Sequence, residues 1–572
     1  MNLPKLPLAD WVDALIKWMQ EYFAPLFHFI QGIITPITDF FERILSVTPP
    51  LVTILLLTLL VWLLSRLRIA VFALVGFLLI YDLGLWETSV ETLALVLTST
   101  LISIVIGIPL GLWAGRSDRV KQVVTPVLDF MQTMPAFVYL IPAVFFFALG
   151  AVPAVIASVV FAMPPTIRMT SLGLRQVSKE LKEAANAFGS TSWQRLVKVE
   201  IPLAKPTILA GINQTIMLSL SMVVISSMIG AGGLGEIVLE SISRLQVGLG
   251  FEAGLAIVII AIVLDRMTQN LGKTKTAPSG GNGKKKFPVR KWMSVVASLV
   301  FLGMVIAAYA DFGGGKEKVT LAYVSWESEI ASTNVVKKVL EKQGFEVDLV
   351  ETQATPMWQG VAQGDVDAHV AGWFPVTSKV IADQFKGQYV DLGPNLKGAR
   401  VGLVVPSYVK ANSITELNQY KDQFKGRIVG IDPGASMMQT TEKVIDQYGL
   451  DYQLINGSDA TMSAELSKAI QKKEWIVVTG WQPHWKFADF DLKFLEDPKK
   501  MYGGEESIHT IVRKGLKEDK PEVYRILDRF HWTKEDMEEV MSDIHNGMSP
   551  DKAAEKWVEN HPDKVKEWTQ GK

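Results

Sequence analysis

The sequence divides into two regions of opposite polarity, and this division limits the possible folds more than any other feature. Residues 1–310 contain long apolar runs separated by short polar loops, whereas residues 316–572 are rich in Lys, Glu and Asp. The mean hydropathy of +0.24 therefore averages two unlike regions. An apolar run of about 20 residues is long enough to cross a bilayer as a helix. We therefore predict a multi-domain protein with a helical membrane region followed by a water-soluble one.

The first region is predicted to be an α-helical transmembrane domain of about eight spans. The spans are expected at about 50–65, 69–83, 90–114, 124–149, 151–167, 206–230, 251–265 and 292–310. Lys and Arg accumulate in the cytoplasmic loops of membrane proteins. Here they occupy the loops after the first, third, fifth and seventh spans, including Arg66, Arg68, Arg116, Arg119, Lys121, Arg168, Arg175, Lys179, Lys182, Arg266 and Lys273. The N-terminus and everything after residue 310 are therefore predicted on the extracellular face of a multi-pass plasma-membrane protein.

The N-terminal segment, residues 1–48, is amphipathic rather than continuously apolar. Pro25 and Pro36 are expected to break its helical pattern, because proline removes a hydrogen-bond donor from a helix. Two placements fit the pattern equally well: a helical segment on the membrane surface, or a helix packed on the spans.

Helix-breaking residues occur at membrane depth in several places. Pro135 and Pro142 are expected to interrupt the fourth span, the two prolines at 164–165 are expected to end the fifth, and Gly230–Gly235 follows the sixth. Such breaks are tolerated mainly where protein or a water-filled cavity surrounds them. They suit a transport pathway, although helix packing explains them as well.

A polar loop, Glu183–Ile208, lies between two long apolar segments. It is predicted to lie in water, because each charge would cost several kcal/mol inside a bilayer. We expect a short helix at Glu183–Phe188, a turn at Gly189 that a bulky residue would resist, and a second helix that ends at Ile201-Pro202. Core-like spacing is found in this second helix at Trp193, Leu196 and Val197. From these features alone, an ordinary interhelical loop is an equally good interpretation.

The same loop resembles the EAA loop of bacterial ABC importer permeases. The resemblance rests on Glu183, Ala184 and Ala185, on Gly189 four residues after the second alanine, and on the Ile-Pro-Leu at 201–203. In that family the loop is a helix–turn–helix that docks into a cleft of the cytoplasmic ATPase. The resemblance implies that residues 49–272 form an ABC permease domain and that this loop couples it to an ATPase subunit.

A predicted linker and a predicted anchor join the two regions. Residues 273–291 are rich in Gly, Ser and Lys, which is typical of a flexible linker, and are expected in the cytoplasm. Residues 292–310 are apolar and end in Ala-Tyr-Ala, a pattern that also describes a cleavable export signal. The run of about nineteen residues exceeds the usual ~7–15 residues of a signal core. An uncleaved transmembrane anchor is therefore favoured.

Residues 316–572 are predicted to form a two-lobed α/β domain like those of periplasmic binding proteins. Two similar units alternate strands with helices, and each ends in Gly-Trp-x-Pro. This alternation is typical of mainly parallel sheets, whose ligands bind at the carboxyl ends of the strands. Ala399–Val405 and Ile508–Val512 are candidate crossover strands that would form a hinge. The charged, helical residues 519–572 are predicted to cover one lobe.

Three tryptophans, Trp326, Trp373 and Trp481, fall at the predicted cleft-facing strand ends. A single buried tryptophan is usually a packing residue, but three at equivalent positions of a repeat favour a binding role. Aromatic faces attract cations, and cages of them recognise quaternary ammonium groups, which have no N–H to donate. The pattern therefore predicts a box for a small zwitterionic quaternary ammonium ligand.

The loop Asp432–Met437 leads into a helix predicted at Gln439–Tyr448. The free N–H groups of a helix start bind anions. The amides near Ser436 and Met437 are therefore candidates for holding a ligand carboxylate. A helix start capped by water or by Ser436 itself is the alternative.

Nearly all of 318–572 resembles the glycine betaine/proline betaine binding proteins of ABC importers. The matching motifs are VSWESEIAST (324–333), AGWFP (371–375), IDPGASMM (431–438) and VTGWQPHW (478–485). The resemblance implies a box of the three tryptophans, with the ligand carboxylate on the Ser436 and Met437 amides. In some relatives a His binds the carboxylate at the position of Ser378, so the role of Ser378 is open. Support of the box from behind is expected from Ser325, His484 and Trp485.

Several chemistries are excluded by the sequence. The chain has no Cys, and its 7 His show no metal-binding spacing, so we expect neither a disulfide nor a metal site. It has no Gly-rich phosphate loop that ends in Lys-Ser or Lys-Thr, so ATP and Mg²⁺ are expected on a partner chain and no cofactor or catalytic residue on this one. The net charge of −1, without a basic stripe, argues against a nucleic-acid partner.

The whole chain resembles the OpuABC-type subunits of osmoregulatory betaine importers, in which a permease is fused to its binding domain. The resemblance implies an assembly in membrane lipid of two such chains with two ATPase subunits, which imports glycine betaine and proline betaine. Two alternatives are open: an importer of choline or carnitine, and a membrane-anchored chemoreceptor for quaternary ammonium compounds. The short cytoplasmic loops, which leave no room for a signalling domain, argue against the receptor.

Overall fold

The computed structural model describes residues 7–147, 149–243, 246–272 and 317–570. The predicted linker at 273–291 and the predicted anchor at 292–310 lie outside these described residues. The chain divides into two compact units. The first consists mainly of the helices before residue 273, and the second consists mainly of the α/β region after residue 316.

The first unit is helical throughout its described residues. Its α-helices are α1 (Leu8–Ser46), α2 (Pro50–Leu64), α3 (Leu67–Asp82), α4 (Trp86–Arg116), α5 (Asp118–Thr133), α6 (Ala136–Phe147), α7 (Ala151–Arg175), α8 (Lys179–Ala187), α9 (Ser192–Arg195), α10 (Ile201–Ser226), α11 (Leu234–Ser243) and α12 (Val247–Gly272). A π-helical turn, Leu196–Glu200, joins α9 to α10.

Four of the described helical segments are long and apolar enough to cross a membrane: α4, α7, α12 and the continuous helix Ser192–Ile229. Two bent pairs raise this number to six if each counts as one span. These pairs are the second part of α1 with α2, which meet at 103°, and α5 with α6, which meet at 98°. The predicted helical membrane class is confirmed, and the span count agrees roughly with the prediction. α3 has 16 residues, fewer than a straight span requires.

α1 continues through Pro25 and Pro36, so the breaks predicted there are wrong. Phe27 of α1 stacks on Phe146 of α6 with 4.6 Å between ring centroids. Ile34 is buried in a cluster with side chains of α4 and α7. Neighbouring helices can compensate for the backbone groups that a proline leaves without a partner. The second half of α1 is therefore a helix packed on the other helices, the second of the two predicted placements.

The other predicted proline breaks have mixed outcomes. Pro164 and Pro165 are buried inside α7, which ends only at Arg175, so the predicted end of the fifth span is wrong. Pro142 lies within α6 and does not interrupt it. Pro135 does mark a break, because it lies between α5 and α6 where the chain bends by 98°.

The glycine-rich turn Gly230–Gly235 is bound tightly to α4. Gly233 has a φ of +76°, which favours glycine, and its N–H donates to Glu91 Oε2 at 2.8 Å. The N–H of Leu234 donates to Thr92 Oγ1 at 2.8 Å. A Cβ on Gly233 would lie only 2.6 Å from that same oxygen. This segment is therefore a close turn against α4 rather than a flexible loop.

α4, α7 and α10 approach one another at small residues. A Cβ on Gly111 of α4 would lie 2.6 Å from the Cβ of Thr170 on α7, and a Cβ on Gly211 of α10 would lie 2.7 Å from a side-chain atom of α7. The hydroxyls of Thr166 and Thr215 form a buried hydrogen bond of 2.7 Å between α7 and α10. Small residues and hydroxyl pairs are common where membrane helices pack closely.

Replacement of Gly111 by Val should weaken this packing, because no space exists for the side chain between α4 and α7. We expect a cost of ~1–3 kcal/mol, measured as a lower melting temperature of the purified protein in detergent. Gly254→Val in α12 is the matched control, since nothing lies within 4 Å of its Cβ position. Equal melting temperatures for the two variants would contradict close packing at Gly111.

The second unit is a two-lobed α/β domain. Its strands are β1 (Lys318–Tyr323), β2 (Glu346–Glu351), β3 (Ala368–Phe374), β4 (Tyr389–Pro406), β5 (Arg427–Val429), β6 (Gln453–Ile455), β7 (Val478–Gln482), β8 (Leu492–Phe494) and β9 (Glu506–Arg513). In the first lobe β2, β1 and β3 are parallel, and in the second lobe β6, β5 and β7 are parallel. The prediction of two α/β lobes with mainly parallel sheets is confirmed.

Helices connect and cover these strands. They are α13 (Glu327–Lys342), α14 (Ala354–Gln363), α15 (Lys379–Gln384), α16 (Ser436–Tyr448), α17 (Asp459–Lys472), α18 (Lys486–Asp489), α19 (Leu516–Asp519), α20 (Pro521–Arg529), α21 (Lys534–His545), α22 (Pro550–Asn560) and α23 (Pro562–Gln570). α22 packs on α13, where Lys338 pairs with Asp551 at 2.7 Å. Trp557 and Trp568 stack with 5.7 Å between centroids and are buried. The C-terminal helices thus cover the first lobe, as predicted.

β4 belongs to both lobes. It pairs with β9 up to Ala399 and with β7 from Arg400 onward, so it passes from one sheet into the other at this point. The crossover predicted at Ala399–Val405 is therefore confirmed. β9, which contains the second predicted crossover Ile508–Val512, pairs with β3 and β4 in the first lobe. The chain returns to the first lobe before it, between residues 495 and 505, so the second crossover was predicted too far along the chain.

Candidate ligand-binding site and coupling loop

Side chains of both lobes line one partly open cavity. The structure brings all three predicted tryptophans to it: Trp326 and Trp373 from the first lobe and Trp481 from the second. The ring centroids of Trp326 and Trp481 are 6.4 Å apart, with the planes tilted by 53°. All three lie at or just after the carboxyl ends of parallel strands, β1, β3 and β7, where ligands of such sheets bind.

The start of α16 lies at the same cavity. Ser436 and Met437 are its first two residues, three positions earlier than predicted, and both line the cavity wall. Within the described residues neither backbone N–H has a hydrogen-bond partner. A helix start carries partial positive charge together with such unpaired donors, so an anionic group can bind there.

Ser378 also lines the cavity and is held against Trp373. The Trp373 N–H donates to Ser378 Oγ at 2.9 Å, and the Ser378 N–H donates to the Trp373 carbonyl at 2.7 Å. Oγ donates to no other described residue, so its own proton is available to a ligand acceptor. Ser378 therefore fixes the Trp373 turn and adds one donor to the cavity.

His484 lies behind Trp481 rather than at the cavity wall. It is fully buried, and its ring centroid is 4.9 Å from that of Trp481. The Lys486 N–H donates to His484 Nδ1 at 3.2 Å, so Nε2 carries the proton and donates to Asp459 at 3.1 Å. Burial lowers the pKa of His484 to about 4, which keeps the ring neutral at pH 7. These contacts hold Trp481 in place and fit a supporting role.

Lys486 is a fully buried amine beside the box. Its Nζ lies 4.1 Å from the centroid of the Trp481 ring, and among the described residues it has no hydrogen-bond partner. Burial lowers the pKa of Lys486 to about 8, opposed by the carboxylates of Asp459 and Glu327. The protonated amine and a ligand cation would both be attracted to the same aromatic ring.

The other two supporting residues predicted from the sequence do not line the cavity. The Ser325 hydroxyl donates to Glu351, which also accepts from the Tyr323 hydroxyl at 3.2 Å. Trp485 stacks on His545 of α21 with 3.7 Å between centroids. Ser325 thus fixes the end of β1 next to Trp326, and Trp485 joins the second lobe to the C-terminal helices.

Sequence reasoning missed part of the cavity wall: Met357, Trp358, Thr377 and Ile381. Trp358 packs edge-on against Phe374 and Tyr389, with centroids 6.1 and 5.2 Å away. The apolar spacing of α14 signals a buried face, but it does not tell a cavity wall from a solid core.

The stability of the α/β unit should depend on pH through Lys486. Its pKa is about 8 when folded and near the usual 10.5 when unfolded, so between these values the unfolded state binds more protons. This group alone therefore makes the free energy of unfolding rise as pH increases from about 8 to 10. Lys486→Met should remove that rise. The free energy of unfolding of the variant, relative to that of the wild type, should therefore be lower at pH 10 than at pH 7. Urea denaturation of both proteins at each pH measures the difference, and a constant difference would contradict the lowered pKa.

The EAA-like motif lies on an exposed turn of the helical unit. α8 contains Glu183, Ala184 and Ala185, and Gly189 follows with a φ of +76°. Nothing lies within 4 Å of the position of a Cβ on Gly189. A larger residue there would therefore be opposed by backbone conformation and not by a clash.

The loop presents aromatic side chains to its surroundings on both sides of Gly189. Phe188 is 90% exposed and Trp193 is 71% exposed. Of the three residues predicted at core-like spacing, only Leu196 is buried, whereas Trp193 and Val197 are exposed. The spacing thus describes a helix with one buried side chain and an exposed apolar face.

A buried carboxylate joins this loop to α4. Glu200, 3% exposed, accepts from Arg116 at 3.2 Å and from Arg195 at 2.9 Å. Arg116 also donates to the Ser192 carbonyl at 2.9 Å, and Arg195 donates to Asn186 Oδ1 at 2.7 Å. A buried charge is tolerated when it is paired and hydrogen-bonded, as this one is.

The second loop helix does not end at Ile201-Pro202, so this prediction is wrong. It continues through the π-helical turn Leu196–Glu200 into α10. The missing N–H of Pro202 falls next to this turn, where the regular α-helical hydrogen bonding is already interrupted. Proline is therefore accommodated and the helix continues.

Two family models match the chain. Residues 317–560 match the substrate binding domain of the ABC-type glycine betaine transport system. Residues 107–275 match the binding-protein-dependent transport system inner membrane component.

Individual relatives match each part. The chain is 54% identical over 278 residues to the glycine betaine transport system permease protein OpuAB of Bacillus subtilis. The matched region covers 47% of this chain and 96% of that relative. It is 55% identical over 153 residues to the glycine betaine/carnitine transport binding protein GbuC of Listeria monocytogenes, which covers 26% of this chain and 51% of the relative. The structure of lactococcal OpuAC complexed with glycine betaine is 44% identical, covers 44% of this chain and 100% of that one, and has a TM-score of 0.43.

A helical membrane unit joined to a two-lobed α/β unit with an aromatic cleft is the arrangement of an ABC importer's permease and binding domain. The chain belongs to the ABC-type glycine betaine transport family, and it combines that family's permease and substrate-binding domain in one polypeptide. These two kinds of domain transport and bind their substrate and are not enzymes.

Proposed function

We propose that this chain imports glycine betaine, and also proline betaine, as an osmoprotectant. The observation that carries the proposal is the single cavity where three tryptophans meet the start of α16. Such a cavity offers aromatic faces to a cation and unpaired N–H groups to an anion. A betaine carries both charges on one small molecule.

Trp326, Trp373 and Trp481 would enclose the methylated ammonium group. This cation has no N–H to donate, so aromatic faces attract it electrostatically, and a desolvated contact of this kind is worth ~2 kcal/mol or more. Trp373 and Trp481 are each only 4% exposed, so a ligand here would lose most of its water. Glycine, with an ordinary ammonium, would lose its hydrogen bonds to water without gaining new ones.

The Ser436 and Met437 amides, with the Ser378 hydroxyl, would hold the carboxylate. Charge-assisted hydrogen bonds to a carboxylate are stronger than neutral ones. Choline has no carboxylate and would leave these buried donors unpaired, at a cost of ~1–3 kcal/mol for each group. The helix start therefore favours a betaine over choline.

Isothermal titration of the purified full-length chain tests this proposal. We expect saturable binding of glycine betaine, no binding of glycine, and weaker binding of choline. Trp373→Ala should weaken binding by roughly thirtyfold, the equivalent of one lost cation–π contact. Trp475→Ala, which removes a partly buried tryptophan that does not line the cavity, is the control. If no quaternary ammonium compound binds, the three tryptophans are packing residues and the proposed binding role is wrong.

The permease part, residues 49–272, is proposed to couple transport to a separate ATPase subunit, with two copies of each chain in the membrane. The basic residues Arg116, Arg119 and Lys121 lie around the α4–α5 junction, whereas the acidic residues Asp82 and Glu87 lie on either side of the α3–α4 turn. This charge pattern favours a cytoplasmic α8–α9 loop and an extracellular binding domain, residues 316–572.

The exposed loop would be the docking surface for that ATPase. Phe188 and Trp193 supply an apolar patch, a usual feature of protein interfaces. Movement of this patch would reach α4 through Glu200 and Arg116. Closure of the binding lobes on betaine would deliver the ligand to the permease from the extracellular side. ATP-driven movement of the loop would then open the transport pathway to the cytoplasm.

Gly189→Val should uncouple the transporter. The left-handed backbone at Gly189 disfavours valine, so the turn would rearrange at the docking surface. We expect unchanged betaine affinity, but loss of most betaine-stimulated ATP hydrolysis and uptake in proteoliposomes with the ATPase subunit. Gly84→Val is matched, since Gly84 has a φ of +74° and no neighbour within 4 Å, but lies in the α3–α4 loop. Normal uptake by Gly189→Val would rule out the docking role of this turn.

A further inference from the structure

We propose that Asp432 is a positioning residue for betaine binding: across the cleft, it holds the indole of Trp326 in the box and so links the shape of the box to lobe closure. This inference rests on the proposed function. The contact that carries it is a hydrogen bond of 3.1 Å from Trp326 Nε1 to Asp432 Oδ2.

The two partners belong to different lobes. Trp326 precedes α13 in the first lobe, and Asp432 lies between β5 and α16 in the second. Asp432 also anchors its own turn, because its carbonyl accepts from the Ala435 N–H at 2.9 Å. The turn leads directly to Ser436 and Met437. One short segment of the second lobe therefore supplies both the carboxylate donors of the site and the acceptor that orients an aromatic wall from the opposite lobe.

A second carboxylate contacts the same place from the second lobe. The Glu327 N–H, at the start of α13, donates to Asp459 Oδ2 at 3.4 Å, and Asp459 is held by His484. Negative charge is favourable near a helix start. Burial raises the pKa of Asp432, the Trp326 N–H lowers it, and the charge of Asp459 raises it. Two acidic groups of one lobe thus meet the start of one helix of the other, an arrangement that exists only when the lobes are together.

The three tryptophans of the box are oriented differently. Trp481 is packed against His484 and Lys486 of its own lobe, and within the described residues its Nε1 has no hydrogen-bond partner. Trp373 is buried and held by Ser378 in its own turn. Trp326 is only partly buried, and its indole N–H is directed to the opposite lobe. It is therefore the wall whose position depends on closure.

A double-mutant cycle on the full-length chain tests the link. Asp432→Ala and Trp326→Phe each remove the hydrogen bond, and Phe keeps an aromatic face. A hydrogen bond to a charged group corresponds to roughly tenfold to hundredfold in affinity. We expect each change to raise the Kd for glycine betaine by about tenfold or more, mainly through faster dissociation, and the double variant to be little worse than either single one.

The control cycle combines Asp432→Ala with Trp481→Phe, which removes an indole N–H that has no partner within the described residues. Here the two effects should multiply. Asp432→Asn keeps an oxygen acceptor and should restore most of the affinity, which a merely structural role of the charge would not predict. Two results would overturn the inference and leave the proposed function intact. One is a double variant in the Trp326 cycle whose increase in Kd equals the product of the two single increases. The other is an Asp432→Ala variant that binds betaine with normal affinity. A wild-type chain that binds no betaine would overturn both.

Lobe closure provides a second readout. The chain has no Cys, so single cysteines introduced by Lys386→Cys in the first lobe and Lys443→Cys in the second can be labelled specifically for energy transfer. At saturating glycine betaine, Asp432→Ala should show a smaller closed fraction than the wild type, with a similar melting temperature without ligand. An unchanged closed fraction would contradict a role in closure.

Discussion

Removal of water from a permanent cation is the physical constraint on which the binding domain depends. A quaternary methylated ammonium has no N–H to donate, and aromatic faces, which carry a negative electrostatic potential, can replace its water without a hydrogen bond. Rings are large and need support on several sides. The proposed box takes its walls from both lobes, and two of its walls are held by neighbours in their own lobe: Ser378 bonds the backbone of Trp373, and His484 and Lys486 pack against the ring of Trp481.

Three buried carboxylates of the two units, Glu200, Asp367 and Asp459, each have at least two partners. Glu200 joins Arg116 of α4 to Arg195 of the polar loop that contains α8 and α9. Asp367 joins Arg513 and Lys520 at the edge of the first lobe, at 2.8 and 2.7 Å. Asp459 joins His484 and the start of α13. A buried charge that loses one of two partners is costly, so each of these groups holds distant segments in one arrangement.

The parts of this molecule that follow local periodicity could be predicted, and the parts that depend on packing could not. Alternating strands and helices placed three tryptophans at strand ends, and the structure brings them to one cavity. The predicted breaks at Pro36 and Pro164 are wrong, because a proline in the sequence does not show whether the surrounding structure accommodates it within a helix. Trp193 was expected in a core and is exposed, since spacing alone does not distinguish an internal contact from a surface kept for a partner.

β4 has a consequence for how the binding domain holds together. Because one uninterrupted strand completes the sheet of each lobe, neither lobe has a full set of hydrogen-bonded neighbours without the other. The stability of each lobe therefore depends on the other. Unfolding of one lobe would leave an unpaired strand edge on the sheet of the other, where a strand of another chain could pair. A ligand that binds across the cleft then stabilises the whole α/β unit and not one lobe alone. The strand that connects the two lobes is thus also the element through which each lobe's sheet depends on the other.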